Sequence, residues 1–204
     1  GTFTGSFNGL NHTISGLTIN RPSTTDVGLF SNASTGSSIS NVGLVGGSVN
    51  GGTYVGGLIG RSYGTVTEAF VTGNVEATGQ VGGLAGFIYS GSIENSYSTG
   101  AVLSRTGGYT GGLVGGAVGG TIENSYATGA VTSQNVNTGG LVGGIGGSGV
   151  IVENCYATGL VTSISSDRIG GLVGMFNAGN TITNSFYDSQ TTGRSDTGKG
   201  DPKT

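Results

Sequence analysis

Three carboxylates recur at one place in the sequence: Glu94, Glu123 and Glu153 open the stretches "ENSYSTG", "ENSYATG" and "ENCYATG". Carboxylates at a common register could do two kinds of chemistry. A facing pair could act as general acid and base on a glycosidic bond. Stacked oxygens, joined by turn carbonyls and the amides of Asn95, Asn124 and Asn154, could supply much of a Ca²⁺ shell. The catalytic reading has little else to draw on. His12 is the only histidine, so neither an HExxH zinc site nor a Ser-His-Asp triad can be built in the usual way. Of the ten acids and seven bases, Asp188, Asp196, Asp201, Arg194, Lys199 and Lys203 crowd into residues 188–204, leaving the body of the chain with Arg21, Arg61, Arg105 and Arg168 and no Lys. A polysaccharide-cleaving enzyme needs converging carboxylates, usually with a basic partner. No catalytic residue is assigned and the chain reads as a non-enzyme, with polysaccharide cleavage the least favoured alternative. Apart from Ca²⁺ at Glu94, Glu123 and Glu153, no cofactor is expected.

Hydroxyls form the second pattern. Thr72, Thr99, Thr128 and Thr158 stand in register before Gly, and Thr132 and Thr162 add a second column. The structural reading is β-propensity with side-chain bonding along a turn. The functional one is a regular hydroxyl face that binds a glycan or an ice lattice. Cys155 replaces Ser96, Ser125 and Ser185 of the sister stretches and has no basic neighbour in sequence to activate it, so it reads as a small buried side chain. His12, in "NHTISG", reads as a turn or solvated residue.

A catalytic motif is needed once, so recurrence points to architecture. Leu58, Leu84, Leu113, Leu141 and Leu172 sit in "VGGLIG", "VGGLAG", "TGGLVG", "TGGLVG" and "IGGLVG", a period of 26 to 31 residues. Such periods mean stacked units, none of which buries its apolar face alone. The apolar runs are short, rich in Val, Ile, Tyr and Thr, and cut off by Gly, Asn or Ser; they suit strands and exclude helical solenoids. The expected fold is all-β: a right-handed parallel β-helix (β-solenoid) of about seven coils, one per repeat. In it the five leucines form an internal ladder, Asn95, Asn124, Asn154 and Asn184 a turn ladder, and Tyr97, Tyr126, Tyr156 and Phe186 an aromatic column. Strict alternation would turn Ile59, Ala85, Val114, Val142 and Val173 away from the leucines, so either Gly distorts the strand and both pack inward or an apolar stripe is left for a chain segment or a second copy; the stripe is the favoured expectation. One domain is expected over 1–187, with degenerate coils over 1–50, regular repeats over 51–187 and a polar tail over 188–204.

Composition agrees with a packed repeat. Of 204 residues 46 are Gly, yet 34% are hydrophobic, which is more than a disordered chain carries. Only 8% are charged and the net charge is −3, so no basic surface faces a nucleic acid. No apolar run is long enough to insert in a membrane. The chain opens at Gly1 without Met or a signal-like segment, as a piece of a longer precursor would.

The Gly-Leu-hydrophobic-Gly pattern followed by a "GTIENSYATGAV"-like strand resembles the GLUG repeat of large bacterial surface proteins, including haemagglutinin-like adhesins and non-catalytic regions of IgA-cleaving metallopeptidases. The match is clearest from Tyr54 to Phe186. "VGLFSN" departs from it by lacking the double Gly, and "SISNVGLV" by lacking Tyr. The resemblance implies a secreted or cell-surface β-solenoid acting as a rigid scaffold or adhesion segment. Its partner would be a cell-surface or extracellular ligand such as a glycan.

Overall fold

Short Val-, Ile- and Thr-rich runs broken by Gly and Asn cannot sustain helices, and they pack well as strands on a pleated surface. In the computed structural model, which describes residues 1–134, 136–197 and 199–204, they build a parallel β-solenoid of about six turns. A regular turn visits four faces. Ile59–Ser62 lies on a seven-stranded face, Thr65–Val71 on a twelve-stranded one, Asn74–Ala77 on a six-stranded one and Val81–Gly82 on a five-stranded one. Register is kept from turn to turn: Val75 pairs with Val49 on one side and Val102 on the other. The seven strands of the first face mark the levels counted from the repeats, and about six full turns lie between them.

Corners and close approaches are assigned to different residues. On the twelve-stranded face the chain bends at Asn95, Asn124, Asn154 and Asn184, all left-handed with φ of 50°, 49°, 52° and 47°. Asn tolerates that region because its short amide bonds locally. Glu68 holds the same slot at φ 52° without that advantage. The paired glycines serve contact instead: a Cβ on Gly57 would stand 2.6 Å from Val71 Cγ1 and 2.7 Å from Gly83 O. Successive coils meet there backbone to backbone, where no side chain fits.

The core runs as two columns. Leu58, Leu84, Leu113, Leu141 and Leu172 are fully buried in the larger one, against Val66, Ile93, Ile122 and Val152 of the twelve-stranded face. Val49, Val55, Val75, Val81 and Val102 fill the smaller one, between the five- and six-stranded faces. Ile59, Ala85, Val114, Val142 and Val173 lie in the larger core too, each with no exposed surface, so the expected apolar stripe is not there. The reason is a bulge at the Gly-Gly-Leu corner of each regular coil. The N–H groups of Leu113 and Val114 both donate to Leu141 O, at 2.9 and 3.1 Å, and the same fork joins Leu58 and Ile59 to Leu84 O. Two residues facing one bend the strand, and both neighbours turn inward.

Residues 188–197 and 199–204, expected as a polar tail, pack onto the solenoid. Asp188 caps the short helix Ser189–Thr192, and the N–H groups of Thr191 and Gln190 hold its carboxyl below the usual range. Asp201–Lys203 then pairs in parallel with Phe186–Asp188. Between them, the charges of this segment bind backbone groups of the preceding coil. Asp196 Oδ1 accepts from Gly171 N–H at 2.8 Å, Lys199 Nζ donates to Ile169 O and Gly174 O at 2.8 and 2.9 Å, and Arg194 donates to Val161 O at 2.7 Å.

Candidate functional site

The outer side of the twelve-stranded face carries the Glu, Asn and aromatic columns together. Alternation explains why: Ile93, Ile122 and Val152 point into the core, so the glutamates that follow them point out. Strand pairing sets Glu94 beside Glu123 and Glu123 beside Glu153, and likewise Tyr97, Tyr126 and Tyr156. The rings of Phe70, Tyr97, Tyr126 and Tyr156 stack in sequence with centroids 4.9, 4.8 and 4.8 Å apart and planes within 6°. That spacing is the strand spacing. Both faces of Tyr97 and Tyr126 are therefore covered, leaving only ring edges and phenol oxygens to solvent. Burial, then the Tyr156 and Tyr97 phenols, push the Tyr126 hydroxyl above its ordinary pKa. Phe186 continues the register, with Lys203 Nζ 4.6 Å from its ring centroid.

Glu94 and Glu123 have donors of their own. Ser92 Oγ donates to Glu94 Oε1 at 2.6 Å and Asn124 Nδ2 to Glu123 Oε1 at 3.3 Å, while Asn154 Nδ2 bonds Asn124 Oδ1 at 3.2 Å. Among the described residues no group of three or more His, Cys, Asp or Glu is gathered as a metal site. In-register stacking sets Glu94, Glu123 and Glu153 in a file, one to a coil, whereas a cation shell needs its oxygens around one point. The threonines are uneven. Thr99 and Thr128 are exposed, but Thr72 and Thr158 are half-buried, and Thr72 Oγ1 accepts from Gly46 N–H at 2.8 Å. In the second column Thr132 pairs with Thr162, but Leu103 holds the level before them.

Sequence reasoning missed a buried hydroxyl column. Ser96 Oγ accepts from Ala69 N–H, Ser125 Oγ from Ser96 N–H and Ser185 Oγ from Cys155 N–H, each at 3.1 Å. Each of these hydroxyls also donates to the carbonyl two residues back, at 2.7 Å. The Asn corner takes one residue out of the ladder, and the next residue's hydroxyl bridges the gap between coils. Cys155 makes the same contact, with Sγ 3.1 Å from Glu153 O. Burial pushes its thiol up to about 11, against the opposing pull of the Ser125 and Glu153 backbone. The invariant Ser or Cys after Asn was the available signal. A second cluster was also missed: on the outer side of the seven-stranded face, Phe87 lies under Tyr54, Tyr89 and Tyr109 with centroids 5.5, 4.8 and 6.1 Å away. Tyr89 stacks on Tyr63 one coil earlier, but Phe87 pairs with Arg61 and Gly116, so periodicity alone does not gather the cluster.

Each regular turn is thus one copy of a unit that places Leu inside, Asn at the corner, Ser across it and Tyr on the stack. A family model recognises that unit at residues 51–76, 77–103 and 106–132 as the GLUG motif. The chain carries three GLUG motifs. A stretch of 110 residues is 39% identical to Halomucin of Haloquadratum walsbyi, covering 52% of this chain and 1% of that protein, so the chain spans about a hundredth of its relative's length. The fold around the GLUG motifs is similar to that of a Bacteroides ovatus protein described as a candidate immunoglobulin A1 protease. The TM-score is 0.81 at 25% identity, over 97% of this chain and 68% of that one. A solved structure called IgA1 Protease shares the fold at a TM-score of 0.60 and 23% identity, over 86% of this chain and 15% of that one. Among the described residues no helix is long and apolar enough to cross a membrane.

Proposed function

We propose that the chain is a rigid, non-catalytic scaffold segment of a much larger secreted or surface protein, setting the distance between parts that bind or react. The observation that carries this reading is that its outward polar and aromatic groups are spent on their own copies one coil away. Rings stack on rings and amides bond amides, so the side chains that recur hold the rod together and do not converge on a ligand. The GLUG motifs and the identity to Halomucin support a surface or extracellular location, and the small share of Halomucin matched supports a segment of a long polypeptide. Adhesion would belong to what the rod presents.

Length is the direct test. Inserting five tandem copies of residues 104–132 after Thr132 adds five turns in register and lengthens the particle by about 24 Å at the ordinary strand spacing, measured by small-angle scattering, with the β-sheet circular dichroism per residue kept. An unchanged maximum dimension overturns the scaffold reading. The names of the structural neighbours set a second test: immunoglobulin A1 and a glycan panel incubated with the chain remain intact, and cleavage of either refutes the non-catalytic reading.

A further inference from the structure

The side chains that recur in every coil are spent on their own copies, but the aromatic cluster around Phe87 is not. Phe87 and Gly116 lie on the fourth and fifth of the seven strands of their face, in the middle of the rod. The outward positions there run Arg61, Phe87, Gly116, Gly144 and Met175 from strand to strand. The two glycines make a floor for a ring. A Cβ on Gly116 would meet Tyr109 Cδ2 at 2.7 Å, and one on Gly144 would meet Cδ1 at 2.4 Å. A Cβ on Gly146, two residues further along the same chain, would stand 3.4 Å from the phenol oxygen. Width and length of the ring therefore both run parallel to the sheet. Tyr109 lies flat on bare backbone, and its other face turns away from the rod. Gln80 and Asn137, which hold its place one coil to either side, carry no ring to cover it.

Polar groups converge beside this platform. Phe87, 6.1 Å from Tyr109, carries the Tyr54 and Tyr89 rings at 5.5 and 4.8 Å. A hydrogen bond with the Tyr89 phenol, then burial, hold the Tyr54 hydroxyl above its ordinary pKa. The Arg61 guanidinium bonds Asp26 and also Tyr89, and its carbon lies 5.3 Å from the Tyr54 ring centroid. Asp26 balances the Arg61 charge, so the cluster offers neutral donors and acceptors next to an open aromatic face.

These features select the ligand. The strands are paired on both sides, so no backbone edge is free here to take up an extended peptide. A neutralised ion pair gives a strongly charged ligand little to bind. A pyranose ring meets both halves of the surface: the C–H bonds on one of its faces carry partial positive charge and match the negative face of a tyrosine ring, and its rim of hydroxyls both donates and accepts. Apolar contact with a few placed polar groups is the general form of a small-molecule site.

We propose that the outer side of the seven-stranded face binds a neutral oligosaccharide, with one sugar stacked on Tyr109 and the hydroxyls of the next bonded to Tyr54, Tyr89 and Arg61. This goes beyond the spacer reading, since the rod itself then holds a glycan.

Cellohexaose, chitohexaose and maltohexaose are titrated in turn into the full chain, with a galacturonate oligomer as the anionic comparison and a proline-rich peptide as the rival occupant of an aromatic platform. At least one neutral sugar is expected to give saturable shifts of the Tyr54, Phe87, Tyr89 and Tyr109 ring resonances. Tyr109→Ala should weaken that binding about tenfold or more, while Tyr109→Phe, which keeps the ring, should stay within about threefold of wild type. The wild-type shifts locate the site even where the Ala variant folds poorly. The proposal is overturned if all three neutral sugars leave these resonances unmoved up to millimolar concentration, or if their shifts fall on the Thr99 and Thr128 edge instead. It is equally overturned if the galacturonate or the peptide binds here and the neutral sugars do not, or if folded Tyr109→Ala binds as wild type does.

Discussion

Replacing Ser125 with Ala removes one oxygen from the interior of the rod, and the consequence can be followed atom by atom. Ser125 is 1% exposed, and its Oγ accepts from Ser96 N–H at 3.1 Å and donates to Glu123 O at 2.7 Å. Glu123 O keeps a partner after the change, because Asn95 N–H also donates to it at 3.2 Å. Ser96 N–H does not, since the Asn corner has taken the local backbone out of the ladder. An unsatisfied buried N–H costs about 1–3 kcal/mol, and for a chain of this length about 2 kcal/mol lowers the melting temperature by roughly 4–8 °C. Ser125→Cys should lose about half as much, because Cys155 already makes the weaker contact in the next coil. Urea denaturation gives the total. Hydrogen exchange at the Ser96 amide gives the local part, which matters in a repeat protein whose coils open separately. The reasoning fails if Ser125→Ala unfolds within about 0.5 kcal/mol of wild type, or if Ser96 exchange is unchanged.

Leu113→Ala empties the middle of the larger core, where the side chain has no exposed surface; a loss of about 2–5 kcal/mol by urea titration is expected. Tyr126→Ala breaks two ring stacks and should cost about 1–3 kcal/mol, whereas Tyr126→Phe, which keeps the stacks, should be near neutral. Glu123→Gln relieves like charges on both sides and should stabilise by a few tenths of a kcal/mol in low salt, the gain fading as salt rises and Ca²⁺ leaving the wild-type melting temperature unmoved. Cys155, whose thiol is raised from 9.0 to about 11 in the fold, should resist iodoacetamide at pH 8 until the chain unfolds. Because the folded state holds that proton more tightly than the unfolded one, the contribution is complete below pH 9 and is lost as pH rises toward about 11. Cys155→Ser should therefore show a shallower alkaline decline in stability over that window.

The period of Gly-Gly-Leu, the shortness of the apolar runs and the Asn before each Tyr were enough to read a parallel β-solenoid and its Leu, Asn and aromatic columns from sequence. These features are translational. A residue that repeats at the same place in every coil must meet its own copy, whatever the exact path of the backbone. Orientation across a corner is another matter. Alternation predicts that Val114 faces away from Leu113, and only the fork of two N–H groups on Leu141 O turns both inward. Whether carboxylates in one column form a file or a cage depends on which way the face curves, and the structure has them in file. Residues 188–204 read as a polar tail because their charges lack a periodic partner in sequence. Their partners are the Gly171 N–H and the Ile169 and Gly174 carbonyls, 25 to 30 residues earlier in the chain. Local sequence thus determined what repeats along the axis, and the tertiary structure decided what happens where the repetition bends or stops, because there the hydrogen bonds and packing come from groups far apart in the chain.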